Sequence, residues 1–374
     1  DMNRIESVTL LKDAAATAVY GSRAANGVVV ITTKAPVAGK LQLTYNYELS
    51  VNAPDLSDYH VLNATDKLAY ERLAGLYNAT DAASSQEQLD AEYFNRLKNV
   101  ASGVDTYWLS QALRNAYRQK HAVYVQGGEE KFRYGLDLRY ETTPGVMLGS
   151  NRDRFSGGMN FTYNPSKKLL FRNEVTVTQA TGNNSPYGDF STYVRMNPYY
   201  PKTNQNGDII QELAAWRVDT RQNGPNQIQT RYVFNPLYEG TLASFDKSSM
   251  LEIIDAFSVD WKITPSLNFR SQISLNKSVS SNDRFLSPMS NAFYTYTSDR
   301  LNDKGTYTLL ESDRLAIDGK ATLGYNKQIG EQYFNLVLGA NVVAVRTDDK
   351  LVEAQGFSND RCSNIGFARI YKEK

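Results

Sequence analysis

The sequence predicts a mainly β protein: a partial transmembrane antiparallel β-barrel of about nine strands, led in by a small α/β wedge and carrying short helices in its first long loop. Three observations predict this. Segments of roughly ten residues alternate apolar and polar with period two, and that length crosses a bilayer as a tilted strand. The connections between them alternate between tight and long, as in barrels that keep short turns on one side of a membrane and long loops on the other. The chain is also aromatic and polar at once. It holds 25 Tyr and 15 Phe with only 22% charged residues, and its mean hydropathy is −0.49, a mixture that suits strands with one apolar and one polar face.

Residues 7–34, SVTLLKDAAATAVYGSRAANGVVVITTK, read as strand, Ala-rich helix, glycine turn and strand. Asp13 can cap the helix, Gly21 and Gly27 allow backbone conformations that other residues avoid, and Val28, Val29, Val30 and Ile31 suit a buried strand. After a turn, residues 41–51 (LQLTYNYELSV) are apolar at every odd position and polar at every even one. This is the clearest amphipathic strand in the chain. From about residue 52 to about 120 the spacing turns helical. LNATDKLAYERLAGLY has Asn63 or Thr65 as a cap, Ser85 and Gln88 frame a capping box before LDAEYFNRLK, and TYWLSQALRNAY offers a third short helix.

Strands then resume. Residues 122–126 pair with 132–140 across GGEEK; Phe155, Met159, Phe161 and Tyr163 alternate with polar residues; 251–261 meets 267–279 across Thr264-Pro265-Ser266; 315–325 meets 333–345. Turns at 127–131, 164–168, 264–266 and 327–332 are tight, whereas those at 52–120, 141–152, 181–248 and 281–313 are long. Trp261 and Tyr163 stand beside tight turns, where an interfacial aromatic girdle would place them.

Composition excludes several function classes. A net charge of +1 gives no concentrated basic patch for nucleic acid. The single cysteine, Cys362, builds no disulfide framework, and His60 and His121 are too few and too far apart to suggest a metal site. No run of about 18 apolar residues marks a transmembrane helix, which leaves β-strands as the way to span a membrane. The glycines of residues 7–34 match neither GxGxxG nor a P-loop, the acidic pairs Glu129–Glu130 and Asp348–Asp349 read as solvated turns, and there is no nucleophile elbow. The expectation is therefore no enzyme, no cofactor and no metal, with function residing in the pore, the loops and the wedge.

KDAAATAVYGSRAANGVVVITTK resembles the plug-domain signature of the SusC-like (SusC/RagA) family of TonB-dependent outer-membrane transporters. Lys12, Asp13, Ala16, Thr17, Tyr20, Gly21, Ser22, Arg23, Ala24, Ala25, Asn26 and Gly27 carry the match. A second block follows the family's order through Asp105, Trp108, His121 and VQGGEEKFRYGLDLRY. The resemblance implies that residues 1–36 end a plug domain and that 37–374 begin a barrel of about 22 strands. It also implies a SusD-like surface lipoprotein as partner, TonB acting through an N-terminal box outside this sequence, and import of a nutrient, oligosaccharide or peptide. On this reading the chain is an internal piece of a longer outer-membrane protein.

If the apolar faces meet lipid, then Gln42, Thr44, Asn46, Glu48, Arg133, Asp137, Arg139, Asn160, Asn268, Arg270 and Gln272 face the lumen, mainly to pack the plug. In the loop over 181–248, Tyr187, Tyr193, Tyr199, Tyr200 and Trp216 are candidate substrate contacts, because ring faces flanked by amides suit sugars or extended peptides. A loop of that length also needs aromatics for a core of its own. Two other classes stay open, a soluble carbohydrate-binding β protein and a secreted glycan-degrading enzyme. The first would bury the apolar faces that the transporter reading exposes; the second would show paired carboxylates in a cleft.

Overall fold

The computed structural model describes residues 5–12, 27–80, 83–219 and 228–373. β1 (Ile5–Leu11) and β2 (Val28–Thr33) pair antiparallel as a two-stranded ribbon. The Ala-rich helix expected between them lies outside the described residues, as do Asp13, Tyr20, Gly21, Arg23 and Asn26. Gly27 opens β2 at a φ of 93°, with Leu11 O only 3.0 Å from where a β-carbon would sit, so a side chain there would be strained in conformation and crowded in space. Val29 and Ile31 are exposed, 60% and 57%, rather than buried, because among the described residues no second layer covers the ribbon.

The main chain then enters one antiparallel sheet in which nearly every strand pairs with its neighbours in sequence. Its first half comprises β3 (Gly39–Asn52), β4 (Ala116–Gly128), β5 (Phe132–Pro144), β6 (Asn151–Ser166) and β7 (Leu169–Asn183). A separate ribbon of β8 (Glu212–Asp219) and β9 (Ile228–Phe234) interrupts the order. The sheet resumes with β10 (Phe245–Lys262), β11 (Leu267–Leu286), β12 (Thr306–Ile329), β13 (Gln332–Gln355) and β14 (Ile370–Glu373), β10 pairing with β7. Among the described residues, ten strands make an open sheet whose edges are β3 and β14. The fold is the mainly β, barrel-type meander that the alternation predicts.

Most of these strands are longer than the expected ten residues. β10 has 18, β11 has 20, and β12 and β13 have 24 each. Their far ends, such as Ser278 to Arg284 facing Asp246 to Glu252 and Thr308 to Arg314, hold the hydrogen-bonded ladder while carrying polar residues on both faces. Alternation marks only the part of a strand that separates two environments, so these extensions are silent in the sequence. For the same reason Asp348 and Asp349 sit in β13 rather than in a turn. The connection between β5 and β6 is also short, residues 145–150, because pairing continues to Pro144 and Asn151.

Helices occupy the first loop. α1 (Ala64–Leu73) is capped by Asn63, whose side chain accepts from Asp66 N at 2.8 Å. α2 (Gln86–Ala101) opens on the expected capping box, with Gln88 N donating to Ser85 Oγ at 3.3 Å and Ser85 N to Gln88 Oε1 at 3.1 Å. The third helical piece is only a turn at Trp108–Ser110, since Ala116 and Tyr117 are drawn into β4 by pairing with Asn52 and Val51. α3 (Phe190–Val194) is a single short turn in the long β7–β10 connection. Replacing Ser85 by Ala removes one half of the capping box and should destabilise α2 by about 1 kcal/mol. Hydrogen exchange should accelerate at the first amides of α2 and stay unchanged in β4 and β5.

Candidate functional site

The register of the sheet assigns every side chain to one of two faces. One continuous row runs Leu43, Val125, Leu136, Met159, Val175, Asp255, Leu275, Ile317, Ala344 across nine strands. Parallel rows on the same face hold Tyr45, Leu138 and Ile253 on one side and Phe161, Phe257 and Ile273 on the other, and these rings and branched chains are exposed. Leu41, Leu43, Tyr45, Tyr47, Leu49 and Val51 are all at least 50% exposed. Among the described residues no second sheet covers this face. A water-facing sheet would leave it costing about 25 cal/mol for each Å².

The apolar band is not level with the hydrogen-bonded rows. On β3 it runs from Leu41 to Val51, and on β13 from Phe334 to Ala344, beyond which Arg346 and Asp348 follow. Measured against the row through Leu43 and Ala344, both of its ends shift by eight residues over eight strand-to-strand steps. A stagger of one residue per strand, with about 3.3 Å of rise and about 4.8 Å between strands, corresponds to a tilt of about 35°. Eleven residues at that tilt stand about 27 Å tall, against about 25 Å for the apolar band of an outer-membrane barrel with strands tilted 35–45°. A flat or sandwiched sheet has no reason to slide its apolar stripe at this rate.

Aromatic rings concentrate toward both edges of the band. Near the tight turns Phe132, Phe161, Tyr163 and Phe171 form stacked pairs at 6.1 and 6.3 Å, with Trp261 on the next strand. Toward the long loops Tyr45 and Tyr47 flank His121, whose Nδ1 lies 2.8 Å from the Tyr45 hydroxyl. Charges on this face collect at the long-loop edge as ion pairs, Lys277 with Asp313 and Arg346 with Asp348. Asp255 stands inside the band and accepts from Asn173 Nδ2 at 2.5 Å, a bond that offsets part of the cost of placing a carboxyl there.

The opposite face is polar and internally cross-linked. Arg118 bridges Glu48 and Glu141 at 2.7 Å each, Asp260 joins Arg172 and Arg270 at 3.2 Å each, and Arg139 pairs with the buried Asp137 at 3.1 Å. The segment leaving β2 is tied to this face. Val37 N donates to Gln126 Oε1 at 3.3 Å, Arg133 donates to the carbonyl of the buried Pro36 at 3.4 Å, and Gln126 in turn donates to Gln42. Lys12 and Gly27, the two described members of the opening signature, lie on the ribbon that this segment carries.

Over the long-loop end of the sheet, residues from 53–115, 145–150 and 184–244 join in one body with its own core. Thr106 N donates to Pro198 O at 2.8 Å, Trp108 Nε1 to Asn197 O at 3.0 Å, and Leu148 N to Ala112 O at 2.8 Å. At its centre the buried Glu71 accepts from the Tyr77 and Tyr199 hydroxyls, each at 3.0 Å, and pairs with Lys67. Buried Arg96 donates to the Tyr77 hydroxyl at 2.6 Å and lies 3.9 Å from the Trp216 ring centre. Burial pushes the Tyr77 and Tyr199 hydroxyls well above the usual phenol range, so both stay protonated donors to the carboxylate.

Of the five aromatics singled out in the sequence, Tyr193, Tyr199 and Tyr200 are buried at 3% exposure or less and form this core. Tyr187 and Trp216 pack against it half-buried. Their ring area therefore goes first to holding the loops together. Sequence reading missed Glu71 and Arg96, which sit at surface-like positions of two amphipathic helices. Tyr199, 128 residues further on, joins Tyr77 on the carboxylate.

No protein-family model matches the chain. It is similar to "TonB-dependent receptor SusC" of Bacteroides thetaiotaomicron, 33% identical over 157 residues, which is 42% of this chain and 14% of that receptor. It is also similar to "TonB-dependent receptor P26" of Formosa agariphila, 24% identical over 364 residues, covering 96% of this chain and 33% of the relative. In fold it matches a chain of the RagAB peptide transporter with a TM-score of 0.74 at 18% identity, over 100% of this chain and 43% of that one. The chain thus spans less than half the length of each protein it resembles, and it resembles a SusC-like TonB-dependent transporter over that part.

Placing an arginine in the middle of the band should cost about 2–4 kcal/mol in a bilayer. Met159→Arg, where the row crosses the middle of the band on β6, is expected to lower the urea midpoint of the lipid-reconstituted full-length protein, whereas Asn46→Arg, on the polar face, should leave it nearly unchanged. In the loop body, Glu71→Ala strips two tyrosine hydroxyls and Lys67 of their partner and should cost about 3 kcal/mol. Hydrogen exchange should then rise together in α1 and around residue 199, with the strands unaffected.

Proposed function

We propose, for a chain that matches part of a SusC-like TonB-dependent transporter in sequence and fold, that its parent imports a nutrient actively across the Gram-negative outer membrane. The observation that carries this reading is the sheet itself: an apolar band about 27 Å tall, staggered as a tilted barrel requires, backed by a polar wall to which the entering segment is tied. The band meets outer-membrane lipid, and the polar wall lines the lumen and seats the plug. Lys12, Asp13, Tyr20, Gly21, Arg23, Asn26 and Gly27 carry the plug signature on which this reading of the opening residues rests. TonB, reaching the plug through a segment outside this chain, pulls it to open the path.

The loop body serves as the extracellular rim against which a SusD-like lipoprotein closes. Its cargo is an oligosaccharide, in keeping with loops rich in Tyr and Trp flanked by amides, or a peptide, the cargo for which the RagAB transporter is named. Of the five aromatics of the 181–248 loop, Tyr187 and Trp216, the half-buried pair, are the ones left to touch cargo, while Tyr193, Tyr199 and Tyr200 set the shape of the rim. A soluble sugar-binding protein would need a second layer over the apolar band, and a glycan hydrolase would need paired carboxylates in a cleft. Among the described residues no second sheet covers the band.

A strain lacking the gene, grown on a panel of glycans and peptides as sole carbon sources, should lose growth on one class and regain it on complementation. Deleting tonB should abolish uptake of the same compound. Uptake that continues without TonB would overturn the proposal.

A further inference from the structure

The loop body contains a cavity at the edge of its core. It measures about 340 Å³ and lies between residues 59–63, 105–109 and 193–198. Its lining combines ring and aliphatic surface, from Tyr59, Leu62, Tyr107 and Trp108, with polar groups from His60, Asn63, Asp105 and Thr106. The rings differ in state. Trp108 is 2% exposed and fixed by its bond to Asn197 O, whereas Tyr59 and Tyr107 are 40% and 42% exposed at the mouth. Tyr59 is braced edge-to-face against Phe190 at 5.6 Å, so its ring is held in place without being covered.

The polar groups are positioned as well. One oxygen of Asp105 accepts from Ala64 N at 2.9 Å, which anchors the carboxylate to the start of α1 and leaves its other oxygen with no bond among the described residues. The hydroxyls of Tyr59 and Tyr107 and the ring of His60 likewise make no hydrogen bond among those residues. Apolar faces with acceptors and donors at their margins match a pyranose, whose C–H face packs on a ring while its edge hydroxyls bond outward. A lone anchored carboxylate accepts sugar hydroxyls and repels an acidic sugar.

We propose that this cavity is a binding site for a short neutral saccharide on the extracellular loop body, separate from the lumen wall. The import reading says only where such a sugar would be going; the site is tested apart from it. Four neutral trisaccharides, maltotriose, cellotriose, xylotriose and laminaritriose, are titrated into the detergent-purified full-length receptor and followed by saturation-transfer NMR, with trigalacturonate and trialanine as competitors.

At least one neutral trisaccharide should bind. Tyr59→Ala and Tyr107→Ala should each weaken it about three- to tenfold, a loss of about 0.7–1.4 kcal/mol. Tyr70→Ala, at an exposed tyrosine outside the cavity, should change nothing. Asp105→Asn, which keeps an acceptor for Ala64 N, should also weaken binding, and neither competitor should displace the sugar. The site is overturned if none of the four sugars binds at millimolar concentration, if both tyrosine variants bind as the parent does, or if trialanine or trigalacturonate competes. Because growth and TonB dependence are measured on the intact strain, a failed site with persisting uptake refutes the site alone.

Discussion

A single sheet with one apolar and one polar face, which the proposed reading sets against hydrocarbon and water, is the demand that organises the rest of the molecule. Along β3 it fixes the period-two alternation, because a slip of one residue would turn Leu43 inward and Gln42 outward together. Tilt adds a second requirement. Strands inclined by about 35° present a level apolar belt only if the belt slides one residue per strand along the hydrogen-bonded rows, and it does so from β3 to β13. The ion pairs of Lys277 and Arg346 then fall where the belt ends rather than within it.

The polar face solves a different problem. Its charges are neutralised in place by bridges such as Glu48–Arg118–Glu141 and Arg172–Asp260–Arg270, so the wall is hydrated without carrying a strong field of either sign. Its contacts to Val37 and Pro36 bring the segment from β2 onto β4 and β5. Among the described residues this tie includes two long hydrogen bonds, at 3.3 and 3.4 Å.

Beyond the belt the loops are too long to be ordered by the strand ends alone. They gain a core from tyrosine and tryptophan rings, and a buried carboxylate at its centre is satisfied by Tyr77, Tyr199 and Lys67. Removing any partner leaves a charge or a hydroxyl stranded, so the network forces α1 and the segment around Tyr199 to adopt one mutual arrangement. The cavity beside Trp108 follows from the same construction. Packing helices and irregular segments on a ring-rich core leaves a gap that Tyr59 and Tyr107 border without filling.

The alternation in residues 41–51, the capping box at Ser85 and Gln88, and the opening signature were enough, by themselves, to determine a mainly β barrel-type chain and its family resemblance. Each of these depends on neighbours in sequence: the sides of one strand, the turns of one helix, the spacing of one block. Strand length escaped, because the outer ends of β10 to β13 are wet on both sides and leave no periodic mark. The role of the loop aromatics also escaped. Tyr199 and Trp216 carry the same ring whether it stacks on a sugar or on Arg96, and only the meeting of segments over a hundred residues apart decides which. The sequence determined which residues could face lipid, water or each other; the tertiary structure alone decided the register that makes a level belt and the burial that turns Glu71 from a surface acid into the centre of a core, since both depend on groups brought together across the whole chain.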